Sequence, residues 1–385
     1  MNFIYHKKKD STRPMRVLCA IVFIVFSFIY LYDFQDDLLS VAQHVWSSGQ
    51  THYNRTVGAI IITIVLQMLQ YGIYSVTKLH RRSHALSYLP SFLLLMVISY
   101  ITPDIDKHSS FMTWLWLAPV ILVIWYGAVW AAKQFEPYEP EMNDKGYLSR
   151  LMWVNMIEII IMMFVVCLVC GSNDTFRYRM KLENYIISKD YNKAIKVGIG
   201  QAKTDSSLTM LRIYALAHEG RLGDHLFEYP LVGGSHAMLP NGTSVKCMMY
   251  STDSLYSFFG AKPKEVLEPK AYFDLMIKKG YPSRQLYDYI ICADLMDKNL
   301  DAFVKDIRKY YKIGINIPKH YREALTIYTH LRANPVIVYH DNIMDADFQD
   351  LQDLIKKNPD LRLRKNAIKD TYSNTYWYYY MYGSK

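Results

Sequence analysis

The sequence has little cysteine and no familiar catalytic pattern. Five cysteines occur in 385 residues. Cys19, Cys167 and Cys170 fall inside apolar runs, and only Cys247 and Cys292 lie in the more polar remainder, so no disulfide framework holds this chain. G-x-S-x-G, phosphate-loop and dinucleotide fingerprints are absent. His80 and His84 have a ligand-like spacing, but neither Cys nor carboxylate stands nearby as a third ligand. His218, His225 and His236 lack such a partner pattern as well, so neither metal nor cofactor is expected. Charge of one sign is also scarce. The net charge is +9, of which residues 171–385 carry +7. That suits a domain near an anionic membrane surface and is too mild to indicate nucleic acid. Finally, long apolar runs are missing after Gly171.

Before Gly171 they dominate. Five runs, at about 15–32, 57–76, 85–101, 111–132 and 151–170, are long enough to cross a layer of about 30 Å at roughly 1.5 Å per residue. The third is the shortest and contains Pro90. Trp114, Trp116, Trp125, Trp130 and Trp153 cluster toward span ends, as an interfacial belt would. Lys7, Lys8, Lys9 and Arg13 before the first run resemble a signal-peptide n-region. No small-residue cleavage site follows, so the run reads as a retained first helix.

The flanking charges predict orientation. One side carries Lys7, Lys8, Lys9, Arg13, Arg16, Lys78, Arg81, Arg82, Lys133, Lys145 and Arg150. The other carries Arg55 and Lys107 among five aspartates. The N-terminus is thus expected in the cytoplasm and, after five spans, residues 171–385 outside it.

The second half reads as short helices joined by tight turns. Tyr185, a Lys-Asp turn, then Tyr191 and Ala194 follow the aromatic-x-x-Ala pattern of helical-hairpin repeats, in which Ala lets two helices approach and the aromatic fills the next gap. Tyr321, Ala324 and Tyr328 repeat it, with Pro335 beyond. Leu300 and Phe303 give a poorer match. Pro318 suits a first helical turn. Gly198 and Gly200 are expected inside a helix as a packing site. Residues 230–245 interrupt the pattern. The last fourteen residues crowd Tyr376, Trp377, Tyr378, Tyr379 and Tyr380 together. They read as a helix or strand closing the last hairpin, or as an aromatic platform for lipid headgroups or a glycan.

This layout, with Tyr191/Ala194, Tyr321/Ala324 and the 371–382 tail, resembles uncharacterised domain-of-unknown-function families of bacterial envelope proteins. In these, N-terminal spans precede a tetratricopeptide-like periplasmic domain. The resemblance implies a Gram-negative inner membrane and brings no catalytic residues. The expected fold is therefore all-α: a five-helix transmembrane bundle over 1–170 and a soluble, tetratricopeptide-like domain over 171–385.

Three local features carry possible chemistry. Glu158 is the one ionisable residue deep in a span, roughly 12 Å past Arg150, and Asn155 shares its face. Glu158 is expected either to bond to Asn155, Gln67 or Gln70 or to mark a functional site. Cys167 and Cys170 have redox spacing but close a helix, whose end disfavours a thiolate. Gly233, Gly234, Ser235 and His236 place a hydroxyl beside an imidazole with nothing to orient them. Asn54, Asn173 and Asn241 begin glycosylation sequons. Two functions remain in view. One is an anchored scaffold whose partners are the lipid bilayer and an envelope protein or peptide. The other is a membrane-embedded enzyme or transporter for a lipid-linked or small polar substrate, built on Glu158.

Overall fold

The structure, a computed structural model, describes residues 13–105, 109–135, 149–171, 174–201, 203–265, 267–314 and 316–383. The Lys7–Lys9 cluster, Lys107, Lys145 and the Asn173 sequon lie outside them. Among the described residues every regular element is helical. The chain forms two compact units, Met1–Arg177 and Tyr178–Lys385.

The first unit contains α1 (Arg13–Ile29) with a π-helical turn at Tyr30–Phe34, α2 (Asp36–Trp46), α3 (Arg55–Thr77), a 3-10 stretch at Arg81–Tyr88, α4 (Leu89–Ser99), α5 (Ser109–Phe135) and α6 (Arg150–Val169). Four helices, Arg13–Phe34, Arg55–Thr77, Thr113–Phe135 and Arg150–Val169, are long and apolar enough to cross a membrane. Their outward faces remain apolar, with Ile61, Met68, Trp116, Val123, Ile124 and Phe164 exposed. An aqueous surface does not sustain that much contiguous apolar area, whereas acyl chains do. The helix starts follow local chemistry. Asn54 Oδ1 accepts from the N–H groups of Thr56 and Val57, both at 3.1 Å, and Ser149 caps α6. Arg55, one of the two cations expected on the far side, pairs with Asp33 at 2.6 Å and lies near Asp36.

The run at 85–101 departs from the single long helix expected there. Its first part winds as 3-10 helix and its α-helical part is eleven residues long. Pro90, without an N–H, sits in the first turn of α4, where that loss costs nothing. The segment is nonetheless central. Asn155 on α6 accepts from Ala85 N at 2.8 Å and donates to Arg81 O at 3.0 Å, while Cys170 donates to Met96 O at 3.6 Å. From α3, Gln70 donates to Ser87 at 2.9 Å, and Ser91 donates to Leu66 O at 2.9 Å. From α5, Trp125 donates to Leu86 O at 2.9 Å, and Trp114 packs edge-on against Tyr100. Phe23 of α1 packs on Tyr88 and Phe92. Apolar burial between lipid-facing helices gives little drive for association, so such polar bridges fix the segment's register.

The second unit is built from α7 (Asp174–Ile187, its first turn in the first unit), α8 (Tyr191–Ala194), α9 (Ser206–His218), α10 (Leu222–His225), α11 (Thr252–Ser257), α12 (Pro269–Lys278), α13 (Arg284–Met296), α14 (Leu300–Tyr310), α15 (Lys319–Leu331), α16 (Asn342–Lys357), α17 (Leu361–Tyr372) and α18 (Tyr376–Tyr382). One turn recurs. After α7, α9 and α13 a left-handed residue (Lys189, Gly220, Lys298) donates its N–H to the carbonyl three residues back. The next residue donates five back, to Tyr185, Leu216 and Asp294 respectively. This is the Schellman ending, which satisfies orphan helix carbonyls and reverses the chain at once. Asp190 and Asn299 then cap the following helix.

α13 is the core helix, with Leu286, Tyr289, Ile290, Ile291, Cys292 and Leu295 all buried. At Gly223 a Cβ would lie 2.7 Å from Pro318 and 2.8 Å from Tyr321, so glycine is what lets α10 meet α15. Gly198 and Gly200 lie outside any helix, at φ +70 and +78, because α8 ends after one turn at Ala194. They are turn residues, which corrects the packing site expected inside a helix. All five cysteines are free thiols.

Candidate functional site: a groove on helix α14

α14 is amphipathic by sequence. Leu300, Phe303, Val304 and Ile307 recur every three or four residues and are buried. The intervening positions place Asp301, Lys305, Arg308 and Lys309 on the outer face. That face borders an open groove of about 510 Å³ lined also by Val304, Tyr328 and Val336. Tyr328 forms its floor and accepts from Val336 N at 3.3 Å, which fixes the following loop. Asp301 is paired with Arg332. The lip is therefore mainly cationic, from Lys305, Arg308 and Lys309, of which Lys309 lies over the Tyr310 ring. Arg308 and Lys309 also complement the C-terminal dipole of α14, so part of their placement is structural.

The second unit also buries carboxylates that sequence inspection missed. Asp288 on α13 accepts from Tyr311 at 2.5 Å and Tyr321 at 2.8 Å. Burial pushes its carboxyl up, against those hydroxyls and Arg284. Asp294, also on α13, pairs with Lys270, which reaches Asp306 at 3.5 Å. Burial pushes Asp294 up to about 7, with Lys270 acting in the opposite direction. Glu183 on α7 accepts from three consecutive backbone N–H groups, those of Met248, Met249 and Tyr250, at 2.8, 2.6 and 2.7 Å. Glu323 on α15 accepts from Tyr376 N at 2.6 Å and bonds His320 Nδ1 at 2.8 Å, and its carbonyl accepts from Trp377 Nε1 at 2.8 Å. The signal available for the first two was a charge inside an otherwise apolar helix register. For Glu183, whose partners are distant backbone groups, no local signal exists; for Glu323 the local signal was His320 at i,i+3, while Tyr376 and Trp377 lie far off in sequence.

The residues singled out from sequence are dispersed. Ala194, Ala324, Tyr321 and Tyr328 are buried; Tyr185 and Tyr191 are half-buried, and Tyr191 stacks on His218 with centroids 4.2 Å apart. Only Tyr328 reaches the groove. Tyr376, Trp377 and Tyr379 are buried within α18, while Tyr378 and Tyr380 pack partly against the core. The aromatic tail is thus a terminal helix held by Glu323. Asn155 and Glu158 share a face of α6 without bonding. The amide of Asn155 serves Ala85, Arg81, Leu151 and Met15. Gln67 bonds Gln70, which bonds Ser87. Oε2 of Glu158 is buried with no hydrogen-bond partner, so the expected pairing with Asn155, Gln67 or Gln70 is replaced by bridges to the 81–91 segment. His236 pairs with Glu268 at the surface, and Ser235 N donates to Asp297. Among the described residues no group of three His, Cys, Asp or Glu side chains is placed to hold a metal ion.

A family model matches residues 95–261 and 264–383, taking in α5, α6 and nearly the whole second unit, groove included. The chain belongs to DUF6057, a family of unknown function. The match starts within α4, so α1 to α3 stand outside it. No curated protein and no solved structure matches the chain.

Proposed function

We propose that this DUF6057 member is a membrane-anchored scaffold of the cell envelope, whose helical domain receives a partner protein in the α14 groove outside the cytoplasm. The groove is the observation that carries this reading. Its apolar floor at Val304 and Tyr328, with Val336 at the rim, fits an apolar anchor residue, and its lip of Lys305, Arg308 and Lys309 favours an acidic segment around that anchor. Repeated Schellman hairpins support a tetratricopeptide-like stack, an architecture that offers extended binding surfaces.

The outside placement rests on reading the 81–99 segment as a fifth crossing beside the four membrane-length helices. The 81–99 segment is bonded to α6 near both ends of that helix, at Asn155 and at Cys170. A 3-10 stretch rises about 2.0 Å per residue against 1.5 Å for an α-helix, so on this reading the segment needs fewer α-helical residues to reach the same depth. Reporter fusions after Lys385 and in the 133–150 loop should report outside and inside the cytoplasm respectively; a cytoplasmic signal after Lys385 would mean that the 81–99 segment does not cross.

The groove itself is tested by crosslinking in membranes, comparing wild type with a Lys305→Glu/Arg308→Glu chain. Both side chains are exposed, so the variant folds. Wild type retains a partner that the variant loses. Recovery of identical partners on both would sink the groove as the docking site. The second reading, a membrane-embedded enzyme or transporter, draws on one observation, the unpartnered Glu158 Oε2.

A further inference from the structure

A second cavity lies wholly within the first unit, at the C-terminal ends of α1 and α6. It measures about 370 Å³, within the range of about 300–1,000 Å³ typical of small-ligand sites. Phe26, Ile29, Phe34 and Cys167 give it apolar walls.

Its polar groups are unusual. The π-helical turn at Tyr30–Phe34 adds a residue to the end of α1, with Gln35 N donating back to Tyr30 O at 3.1 Å. Such turns recur at functional sites because they displace a side chain from its helical register. Here Gln35 is wholly buried beside the cavity. Its amide donates to the Tyr30 hydroxyl at 2.7 Å, yet its Oε1 is buried with no partner. Arg177 also lines the cavity, and its Nε is likewise buried without a partner. A buried acceptor and a buried cationic donor, both left open at one cavity, are complementary to a ligand that carries a donor and an anion. Asp174, exposed at the same cavity, adds a second acceptor.

We propose that this cavity binds one glycerophospholipid with a primary-amine headgroup. The phosphate accepts from Arg177. The ammonium donates to Gln35 Oε1 and faces Asp174. One acyl chain lies along Phe26, Ile29 and Cys167. The ends of membrane-length helices are where headgroups stand, so the amphiphile needs no transfer through water. A choline headgroup has no N–H to offer Gln35, and a glycerol headgroup carries no cation for Asp174. The site is independent of the α14 groove.

The test uses the full-length chain in detergent, titrated with dioleoyl phosphatidylethanolamine or dioleoyl phosphatidylcholine and read by native mass spectrometry. One ethanolamine lipid per chain should be retained, with a preference over choline of about tenfold, the worth of one charge-assisted hydrogen bond. Gln35→Leu should erase that preference, and Arg177→Gln should weaken retention of both lipids. Cys167→Trp fills the apolar wall from an exposed position and should abolish retention, whereas Trp116→Leu on the outer face of α5 should change nothing. Equal retention of the two lipids by wild type, or retention unaffected by Cys167→Trp, would overturn the proposal in favour of nonspecific annular lipid. Should Gln35→Leu fail to fold, the Arg177 and Cys167 variants decide it alone.

Discussion

The two units solve the problem of interior polarity in opposite ways. In the first unit the interior bridges are mostly neutral: Asn155 to Ala85 and Arg81, Gln70 to Ser87, Ser91 to Leu66. In the second they are mostly carboxylates: Glu183, Asp288, Asp294 and Glu323. A lipid-facing bundle has no nearby water to fall back on, and a charge there is expensive even when paired. A water-surrounded domain can bury a carboxylate where backbone N–H groups or tyrosine hydroxyls converge on it. Neutral bridges hold register in the one, and charged bridges tie together segments distant in sequence in the other. Glu323 and Tyr376 are joined across 53 positions and Glu183 and Met248 across 65.

The comparison is broken most severely at Glu323. Glu323→Ala leaves Tyr376 N and the His320 ring without their acceptor and frees α18 from α15. Two buried donors lose their acceptor, at about 1–3 kcal/mol each. Denaturant unfolding of the purified full-length chain should show a helical-domain transition shifted by that amount, and deletion of α18 should reproduce it. An unshifted transition would mean that α18 is held by its aromatic packing alone. A smaller loss is expected at Asn155→Leu, which removes a neutral bridge. Ala85 N is orphaned at a cost of about 1–3 kcal/mol, lowering the melting temperature of the detergent-solubilised chain. If Asn155→Leu proved as stable as wild type, water or a rearranged 3-10 stretch would be satisfying that backbone.

Those two sites also mark what was legible in the sequence. The apolar runs were long enough to expose four membrane-length helices, and the Lys-Asp turn before Tyr191 anticipated a hairpin. Hydropathy registers neither the 3-10 winding of 81–88 nor its cause, because the decisive acceptor, Asn155, lies 70 residues away. The aromatic-x-x-Ala pattern found buried positions at Ala194 and Ala324, yet it overlooked Gly223, where α10 meets α15 most closely. The α14 groove was half legible: the Leu300/Phe303 stripe was noted, but a groove depends on where Tyr328 and Val336 return in space. Glu158 was visible as an isolated charge, and its neighbours could not be named from spacing alone.

The charged interior also predicts a pH response that a neutral one lacks. Burial lowers His218 to about 4 from an ordinary 6.5. The unfolded chain therefore takes up this proton first, and the stability His218 confers, full above pH 6.5, is lost as pH falls toward 4. Asp294 has the opposite sign. With its pKa raised from 3.8 to about 7, its contribution is full below 3.8 and is lost as pH rises through 7. Thermal melts from pH 4 to 8 should show the helical domain destabilised at both ends. His218→Phe should flatten the acid limb and Asp294→Asn the other. A profile unchanged by both would mean that neither group changes its proton affinity on folding.

The smallest effect is expected where the contrast has its exception, at Glu158, a carboxyl in the bundle of neutral bridges. Oε2 is buried without a partner, and Asn155, which shares its face, is fully committed to the 81–85 backbone. Glu158→Gln preserves shape and hydrogen-bonding capacity while removing only the chance of ionisation, a state the surrounding apolar layer disfavours. If the scaffold reading holds, stability should change by no more than about 0.5 kcal/mol, and partner retention at the α14 groove should be that of wild type. Glu158→Leu belongs beside it because it removes the polar group altogether; a cost confined to Leu locates the requirement in hydrogen bonding and not in charge. A Glu158→Gln chain that inserts, melts and binds its partner as wild type does, yet fails to restore growth to a deletion strain, would show that a titrating carboxyl is needed. That result would move the function from the groove on α14 to the interior of the membrane bundle.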